Sequence, residues 1–525
     1  MDSAAPAAAG APTALDGPRP HVVVMGGGPA GLTAAWELTR HGAGAEVLEA
    51  DPRFVGGIAR TEEYQGFRFD IGGHRFFTKA DEVREIWHQI LDPSDWLSVS
   101  RMSRIYYRGK FFAYPLRAFD ALAKLGVLQA ALCVLSYLKA RAFPRRDERS
   151  LEDWTINRFG ERLYRIFFKT YTEKVWGMPC SEISADWAAQ RIKGLSLTEA
   201  VRNAFPTRTG GAKTDRGGEV IKTLIDAFEY PRLGPGMMWE QATEQVRARG
   251  GSVELGARVA GVRHEDGLVT EVLVDRAGDR RDTVTGTDYV STLPMRELVE
   301  MLDPRAPDEV RAAAAALRYR DYLTVVLIVD RADCFPDNWI YIHDPSVAVG
   351  RVQNYKNWSP EMVPDPARTA LGLEYFCSDG DGLWETPDDE LIERAIREIT
   401  QIGLAHRDEI ADGTVVRMRK AYPVYDEDYK RNVALVREWL VVACANLQLV
   451  GRNGMHKYNN QDHSMMTALL AARNVLGERC GAGERWAGGR DPWNVNTDAE
   501  YHEEVRADAD DAGRRTPRRV SVTRG

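Results

Sequence analysis

His21-Val22-Val23-Val24-Met25-Gly26-Gly27-Gly28-Pro29-Ala30-Gly31 is the stretch that decides the fold. A β-branched run ends on a turn whose glycines stand at 26, 28 and 31, and residues 30–41 have helical composition. Residues 45–49 form a second apolar run that ends on an acid, Glu49, so the segment reads as a β-α-β unit. Without β-carbons, backbone amides and a helix N-terminus approach a pyrophosphate closely. Glu49 stands where an acid accepts a hydrogen bond from a ribose hydroxyl. NAD and FAD share this fingerprint, so the residues that follow must separate them. Gly56-Gly57-Ile58-Ala59-Arg60-Thr61 supplies a second glycine turn just after the acid, as in large flavoenzymes. Phe69-Asp70-Ile71-Gly72-Gly73-His74 then puts a glycine pair and a histidine at a strand end, where backbone can lie against an isoalloxazine ring. The expected fold is α/β: a Rossmann-like FAD-binding domain of the glutathione-reductase type, with a helical insertion and a sheet-based substrate domain.

Outward from that unit, the 525 residues carry 69 Lys+Arg against 77 Asp+Glu, a net charge of −8. With 44% apolar and 28% charged residues the chain is of ordinary globular composition, which excludes collagen-like, wholly disordered and multi-span membrane classes. No long basic run occurs in its body, so no nucleic-acid partner is expected. The 6 cysteines form no CxxC pair, which argues against a zinc site or a disulfide scaffold and for a reducing, cytoplasmic setting. The FAD-binding domain is expected to be discontinuous, over 21–80, 215–300 and 435–478. Residues 81–214 read as the helical insertion, 301–434 as the substrate sheet, and 1–20 and 485–525 as a disordered leader and tail. Strands are expected near 322–329, 339–343, 369–376 and 440–450, and helices over 151–172, 390–404 and 464–476. The longest apolar stretch, 125–138, is too short to span a bilayer core of about 30 Å. It reads as a buried helix; the alternative is an interfacial helix touching lipid, because Lys139, Arg141, Arg145 and Arg146 follow it.

Three motifs in one order make the reading more specific: DIGGHRFFTK (70–79), KVWGMP (174–179) and NQDHS (460–464). The chain resembles the UDP-galactopyranose mutase family, particularly its longer, eukaryotic-type branch, from about residue 22 to about residue 476. WAAQRI (187–192), YPRLGPGMMW (230–239) and GRNGMHKYNNQDHS (451–464) support the likeness. The glycine fingerprint alone also fits amine oxidases, protoporphyrinogen oxidases and carotenoid desaturases.

What the resemblance implies is a reaction without net redox change on a nucleotide sugar. FAD, reduced by NADH or NADPH, attacks the anomeric carbon through N5 and expels the nucleotide diphosphate. The opened sugar, held as an iminium, recloses through another hydroxyl and changes ring size. The resemblance puts Gly73 and His74 beside the flavin and assigns Arg191 and Arg351 to the diphosphate. Tyr341, Tyr422 and Tyr458 would bind the same diphosphate, and Trp176 would stack on the base. Gly26, Gly28, Gly31, Glu49, Gly57 and Arg60 would line the cofactor path. Arg452, Asn460, Gln461 and Ser464 would close over the flavin at a last helix N-terminus. Expelling a diphosphate does require converging cations, and planar guanidinium groups suit it. His463 has no second histidine or acid at metal-ligand spacing, so no metal is expected. The family pattern fails at 114–117 (Tyr-Pro-Leu-Arg) and at Thr172, where the base would sit, so the preferred nucleotide is open. The rival reading is a true FAD-dependent oxidoreductase of the amine oxidase or protoporphyrinogen oxidase type, in which C–H oxidation reduces the flavin.

Overall fold

Residues 19–114, 116, 118–185, 227–480 and 491–495 are described by a computed structural model. Arg191 and the whole WAAQRI segment lie outside the described residues, as do Pro115, Arg117 and nearly all of the two expected disordered ends.

The β-α-β unit forms as read. Strand His21–Met25 pairs in parallel with Gly44–Glu49 on one side and Asp288–Ser291 on the other. Ser252–Leu255 and Leu447–Leu449 complete a five-stranded parallel sheet, drawn from widely separated parts of the chain. Val22 through Met25 are fully buried, as befits a parallel strand covered on both faces. On one face the helix Pro29–Arg40 packs against Gln461–Cys480 and Gly236–Ala248, and its residues from Ala30 to Thr39 are all buried. Glu37 is among them; Arg473 bonds its carboxylate at 3.0 Å and also reaches Glu82, tying three helices together. The other face packs against a small, mostly antiparallel sheet and the helices Asp308–Ala316 and Tyr429–Ala443. The fold is therefore α/β, with a Rossmann-like cofactor half and a substrate sheet beside it.

That substrate sheet has seven strands, in the order Ile410–Pro423, Tyr319–Val329, Thr369–Cys377, Arg351–Asn354, Trp339–Ile342, Ser103–Tyr107 and Lys110–Ala113. The last two correct the reading of residues 81–214 as a helical insertion, as does Trp96–Ser100, which pairs with Ala227–Pro231. Ser103–Tyr107 lies parallel to Trp339–Ile342, more than 230 residues away, and that pairing carries it into the sheet. The remainder of the stretch is helical where described, over Asp81–Ile90, Ala118–Leu125, Val127–Ala142 and Leu151–Phe159, with further helical turns to Trp176. Residues 440–450 are also corrected: the helix Tyr429–Ala443 runs into them, leaving only Leu447–Leu449 as strand.

Alternation divides the large sheet into two faces. Leu323, Val325, Ile340, Val352, Leu371 and Leu373 point toward the helix Asp388–Gln401. Tyr322, Tyr341, Arg351, Gln353 and Glu374 occupy the opposite face, toward the cofactor half.

The helix over 125–138 is also a correction. It forms, as Val127–Ala142, but it is not a buried helix: Val127 is 90% exposed, Leu128 73%, Leu135 61% and Leu138 55%. Its buried residues are Cys133, Tyr137 and Ala140, on the side that meets Leu151–Phe159. An apolar sequence on every side gives a helix no preferred face, so packing partners alone decide which side is covered. No described helix is long and apolar enough to cross a membrane.

Candidate functional site

The cofactor path begins at the first glycine turn. Gly26 has φ +107°, and a β-carbon there would fall 2.1 Å from Thr292 Oγ1. A β-carbon on Gly31 would fall 1.9 Å from the carbonyl oxygen of Gly26, so helix and strand approach as closely as they do only because residue 31 has no side chain. Gly28 caps the helix Pro29–Arg40 and faces Gly57 across the gap. The two turns are joined by the Gly56 N–H, which donates to the carbonyl of Gly27 at 2.8 Å. They form one glycine-lined seam. Glu49 stands at its end and accepts from the amides of Gly27 (2.7 Å) and Asp51 (2.8 Å). Burial raises its pKa, against the pull of those two amides. Arg60 donates to Glu62 at 2.8 Å and to the Gly57 carbonyl at 3.3 Å.

Past the seam, the strand Phe67–Asp70 delivers Gly72, Gly73 and His74 into a cavity of ≈ 220 Å³ between the cofactor half and the substrate sheet. Asp70 anchors this turn from behind: its carboxylate accepts from Tyr230 and its carbonyl from Tyr355 at 3.0 Å. Burial pushes the Asp70 carboxyl well above the carboxylate range, opposed by the hydroxyls of Tyr230 and Thr61. Gly73 is exposed to the cavity, and a β-carbon there would come within 3.0 Å of Gln353 Nε2 and 3.2 Å of the Trp358 ring.

His74 lies among cations. Burial, then the charges of Arg452 and Arg351, push its pKa down to about 3, with only the Gly72 backbone pulling the other way. Its ring is therefore neutral at any physiological pH.

The cross-strand register builds the opposite wall. Tyr341 stands beside Arg351, and Arg351 beside Glu374, in one row over three strands. Arg351 Nε donates to Glu374, which also accepts from Gln353 at 2.7 Å. Arg452 donates to the carbonyls of Asn459 (3.0 Å) and Ala421 (2.9 Å). Its guanidinium lies 5.0 Å from the Tyr458 ring and 5.4 Å from that of Tyr422, two rings stacked 5.6 Å apart. The helix Gln461–Cys480 starts at the cavity wall, where the Asn460 amide donates to His463 Nδ1 at 3.2 Å. Amides at such a start favour negative charge.

Of the residues expected from sequence, His74, Arg351, Tyr341, Tyr422, Tyr458, Gly73, Arg452, Asn460 and Gln461 meet around this one cavity. Trp176 does not line it: it is 3% exposed in the core and its ring meets Tyr458 at 6.4 Å. Ser464 sits one turn inside the helix, its amide bonded to the Asn460 carbonyl at 2.9 Å. Arg191 is outside the described residues. Among the described residues no group of His, Cys, Asp and Glu could hold a metal ion.

Sequence reasoning missed Glu374, Gln353, Trp339 and Trp358. Glu374 had a readable signal, since a carboxylate inside the apolar strand Thr369–Cys377 requires a buried partner. Gln353 followed from period two, two residues after Arg351. The tryptophans had none: Trp339 is turned toward the cavity by sheet register, and Trp358 by the short helical turn Tyr355–Asn357 that follows the strand Arg351–Asn354.

The residues present fit a flavin dinucleotide. The seam brings two turns without side chains together at a helix start, and Gln461 Nε2, buried at the cavity wall, has no hydrogen-bond partner among the described residues. Comparison with known proteins agrees. The flavin-containing monoamine oxidase AofH of Mycobacterium tuberculosis is 27% identical over 310 residues, 56% of this chain; the chain spans 61% of that relative's length. Coproporphyrinogen III oxidase of Propionibacterium freudenreichii is 23% identical over 463 residues, 79% of this chain and 83% of that one. The solved structure of reduced UDP-galactopyranose mutase superposes with a TM-score of 0.75 over 91% of this chain and 99% of that one, at 22% identity, which shows a shared fold. Residues 29–451 match the family described as flavin containing amine oxidoreductase, so the chain belongs to that family and FAD is its cofactor.

Proposed function

We propose that this flavoenzyme is a nucleotide-sugar mutase that interconverts pyranose and furanose rings without net redox change. The observation that carries the reading is the charge of the cavity beside His74: among the described residues Arg75, Lys79, Arg351 and Arg452 face it, against Asp462 and the Glu374 carboxylate behind Arg351, so cations outnumber carboxylates by four to two. Such a wall repels the ammonium group of an amine substrate and attracts a diphosphate. The hydroxyls of Tyr341, Tyr422 and Tyr458 at the same wall would add neutral donors for phosphate oxygens.

The glycine seam would hold the FAD pyrophosphate, Glu49 a ribose hydroxyl, and the turn at Gly73 the isoalloxazine ring. Reduced FAD would supply an electron-rich nitrogen as nucleophile toward the anomeric carbon. The chain's own residues would do the rest. Arg351 binds the departing diphosphate, and Glu374, bonded to Nε, holds the guanidinium in one orientation. Arg452, braced by two backbone carbonyls and two tyrosine rings, adds a second fixed charge. His74, which burial and the neighbouring arginine charges hold neutral, would offer a hydrogen bond without adding a positive charge that would compete for the electron pair. Arg191, outside the described residues, belongs to the same proposal through its motif.

Incubating the dithionite-reduced enzyme with a panel of UDP-, GDP- and dTDP-hexopyranoses tests this, with furanose formation as the supporting result. An oxidase acting on an anionic substrate is the second reading, because a tetracarboxylate such as a coproporphyrinogen would suit the same cations. Oxygen consumption with such a substrate, and no furanose from any sugar, would favour it.

A further inference from the structure

We propose that the helix Val127–Ala142 is a docking surface for an anionic lipid membrane, on which it lies flat. Leu128, Ala131, Leu135, Leu138 and Ala142 are all exposed and recur at spacings of 3, 4, 3 and 4, which puts them on a single face of the helix. Val127 and Phe143, 90% and 79% exposed, stand at its two ends. The side away from this stripe is the one that packs, through Cys133, Tyr137 and Ala140, so the stripe points outward from the molecule among the described residues. Scattered apolar residues on a surface are ordinary; a continuous stripe along 16 residues, about 24 Å, is not.

Charge selects the occupant. From Val127 to Arg146 the sequence holds no Asp or Glu, whereas Lys139, Arg141, Arg145 and Arg146 gather at the C-terminal end. Arg145 is engaged by Glu152 and Asp153, but Lys139, Arg141 and Arg146 are exposed and have no carboxylate partner among the described residues. A local basic cluster in a chain of net charge −8, set beside an apolar stripe, matches a surface whose outside is anionic and whose inside is hydrocarbon. A second copy of this chain could cover the apolar residues, but it would bring one basic, acid-free helix against another. The helix cannot cross the bilayer, so it can only lie at the interface.

The test is flotation of the full-length, FAD-loaded protein with phosphatidylcholine vesicles, with and without phosphatidylglycerol. Binding is expected only when phosphatidylglycerol is present, and it should weaken as salt is raised. Replacing Lys139, Arg141 and Arg146 together by Gln should lower the affinity on the order of 100-fold, at about fivefold per basic residue. Leu135→Ser with Leu138→Ser should lower it by more than about tenfold. Both variants remove exposed side chains, so flavin content and melting temperature should not change. Equal binding to neutral and anionic vesicles, or affinity unchanged in both variants, would overturn the proposal. So would the absence of vesicle binding, including the case in which the two leucine substitutions instead abolish a concentration-dependent dimer.

Discussion

In the proposed function the glycine seam and the arginine row both receive phosphates, and they are built in opposite ways. At the seam the protein withholds side chains, so that the start of the helix Pro29–Arg40 can come close to a pyrophosphate; the geometry is local and depends on a few β-carbons being absent. At the row, side chains would do the binding. Tyr341, Arg351 and Glu374 come from three strands and meet only through sheet register. A locally built site should fail abruptly when one atom is added. A register-built site should fail when a charge loses its partner, and should recover when the partner is removed too.

Gly31→Ala tests the first half and carries the largest expected effect. Its methyl would fall on the Gly26 carbonyl oxygen, backbone that cannot swing aside, so FAD occupancy should drop by more than about tenfold while the separate substrate sheet stays folded. Flavin absorbance per mole of protein measures it, and near-normal occupancy would mean that the seam is looser than described.

Arg351→Ala tests the second half. It strands the Glu374 carboxylate in a buried setting and should destabilise the protein by about 3–5 kcal/mol. The pair Arg351→Ala with Glu374→Gln should recover most of that stability but not the affinity for nucleotide diphosphate, measured by denaturant melts and by titration calorimetry. If the pair also restores diphosphate affinity, Arg351 is structural.

His74→Ala lies where the two constructions meet. Turnover should fall on the order of 100-fold through lost positioning, with flavin content much less affected. Because His74 is held neutral down to about pH 3, the wild-type rate should show no inflection near pH 6.5 that vanishes in this variant.

The last effect is on stability against pH, spread over three buried histidines rather than placed at one site. Burial pushes His74 and His343 down to about 3 and His456 to about 4. The unfolded chain takes up these protons near pH 6.5 and the folded chain does not. Stability is therefore fully present above about pH 6.5 and is lost as pH falls toward those values, by at most about 1.4 kcal/mol per pH unit for each histidine. Melting temperature measured from pH 7 to pH 4 should fall, and should fall less in His456→Phe.

The same contrast explains what the sequence disclosed. The β-α-β unit, Glu49 and the second glycine turn were legible because each depends on neighbours within about thirty residues, and their side chains are small or absent. His74, Arg452 and Asn460 were reached through motifs and do converge on the cavity. Trp176 was assigned by its motif as well, yet it packs into the core against Tyr458, and its sequence context is the same in either role. The strand at Ser103–Tyr107 was hidden because its partner Trp339–Ile342 lies far along the chain, and Lys110–Ala113 is held in the sheet only through Ser103–Tyr107. The exposed helix Val127–Ala142 and the buried helix Pro29–Arg40 are both rich in Ala and Leu; only the helices on either side of the latter make it a core element.

The most direct test of the mutase reading is a count of product per reductant. Under anaerobic conditions, enzyme reduced once with a stoichiometric amount of NADPH or dithionite is given excess nucleotide sugar, and furanose is measured against reducing equivalents supplied. The account predicts many moles of ring-contracted product for each mole of reductant, with the flavin still reduced at the end. One mole of product or less for each equivalent, or a flavin whose redox state tracks substrate consumed, would contradict it and mark the protein as an oxidoreductase.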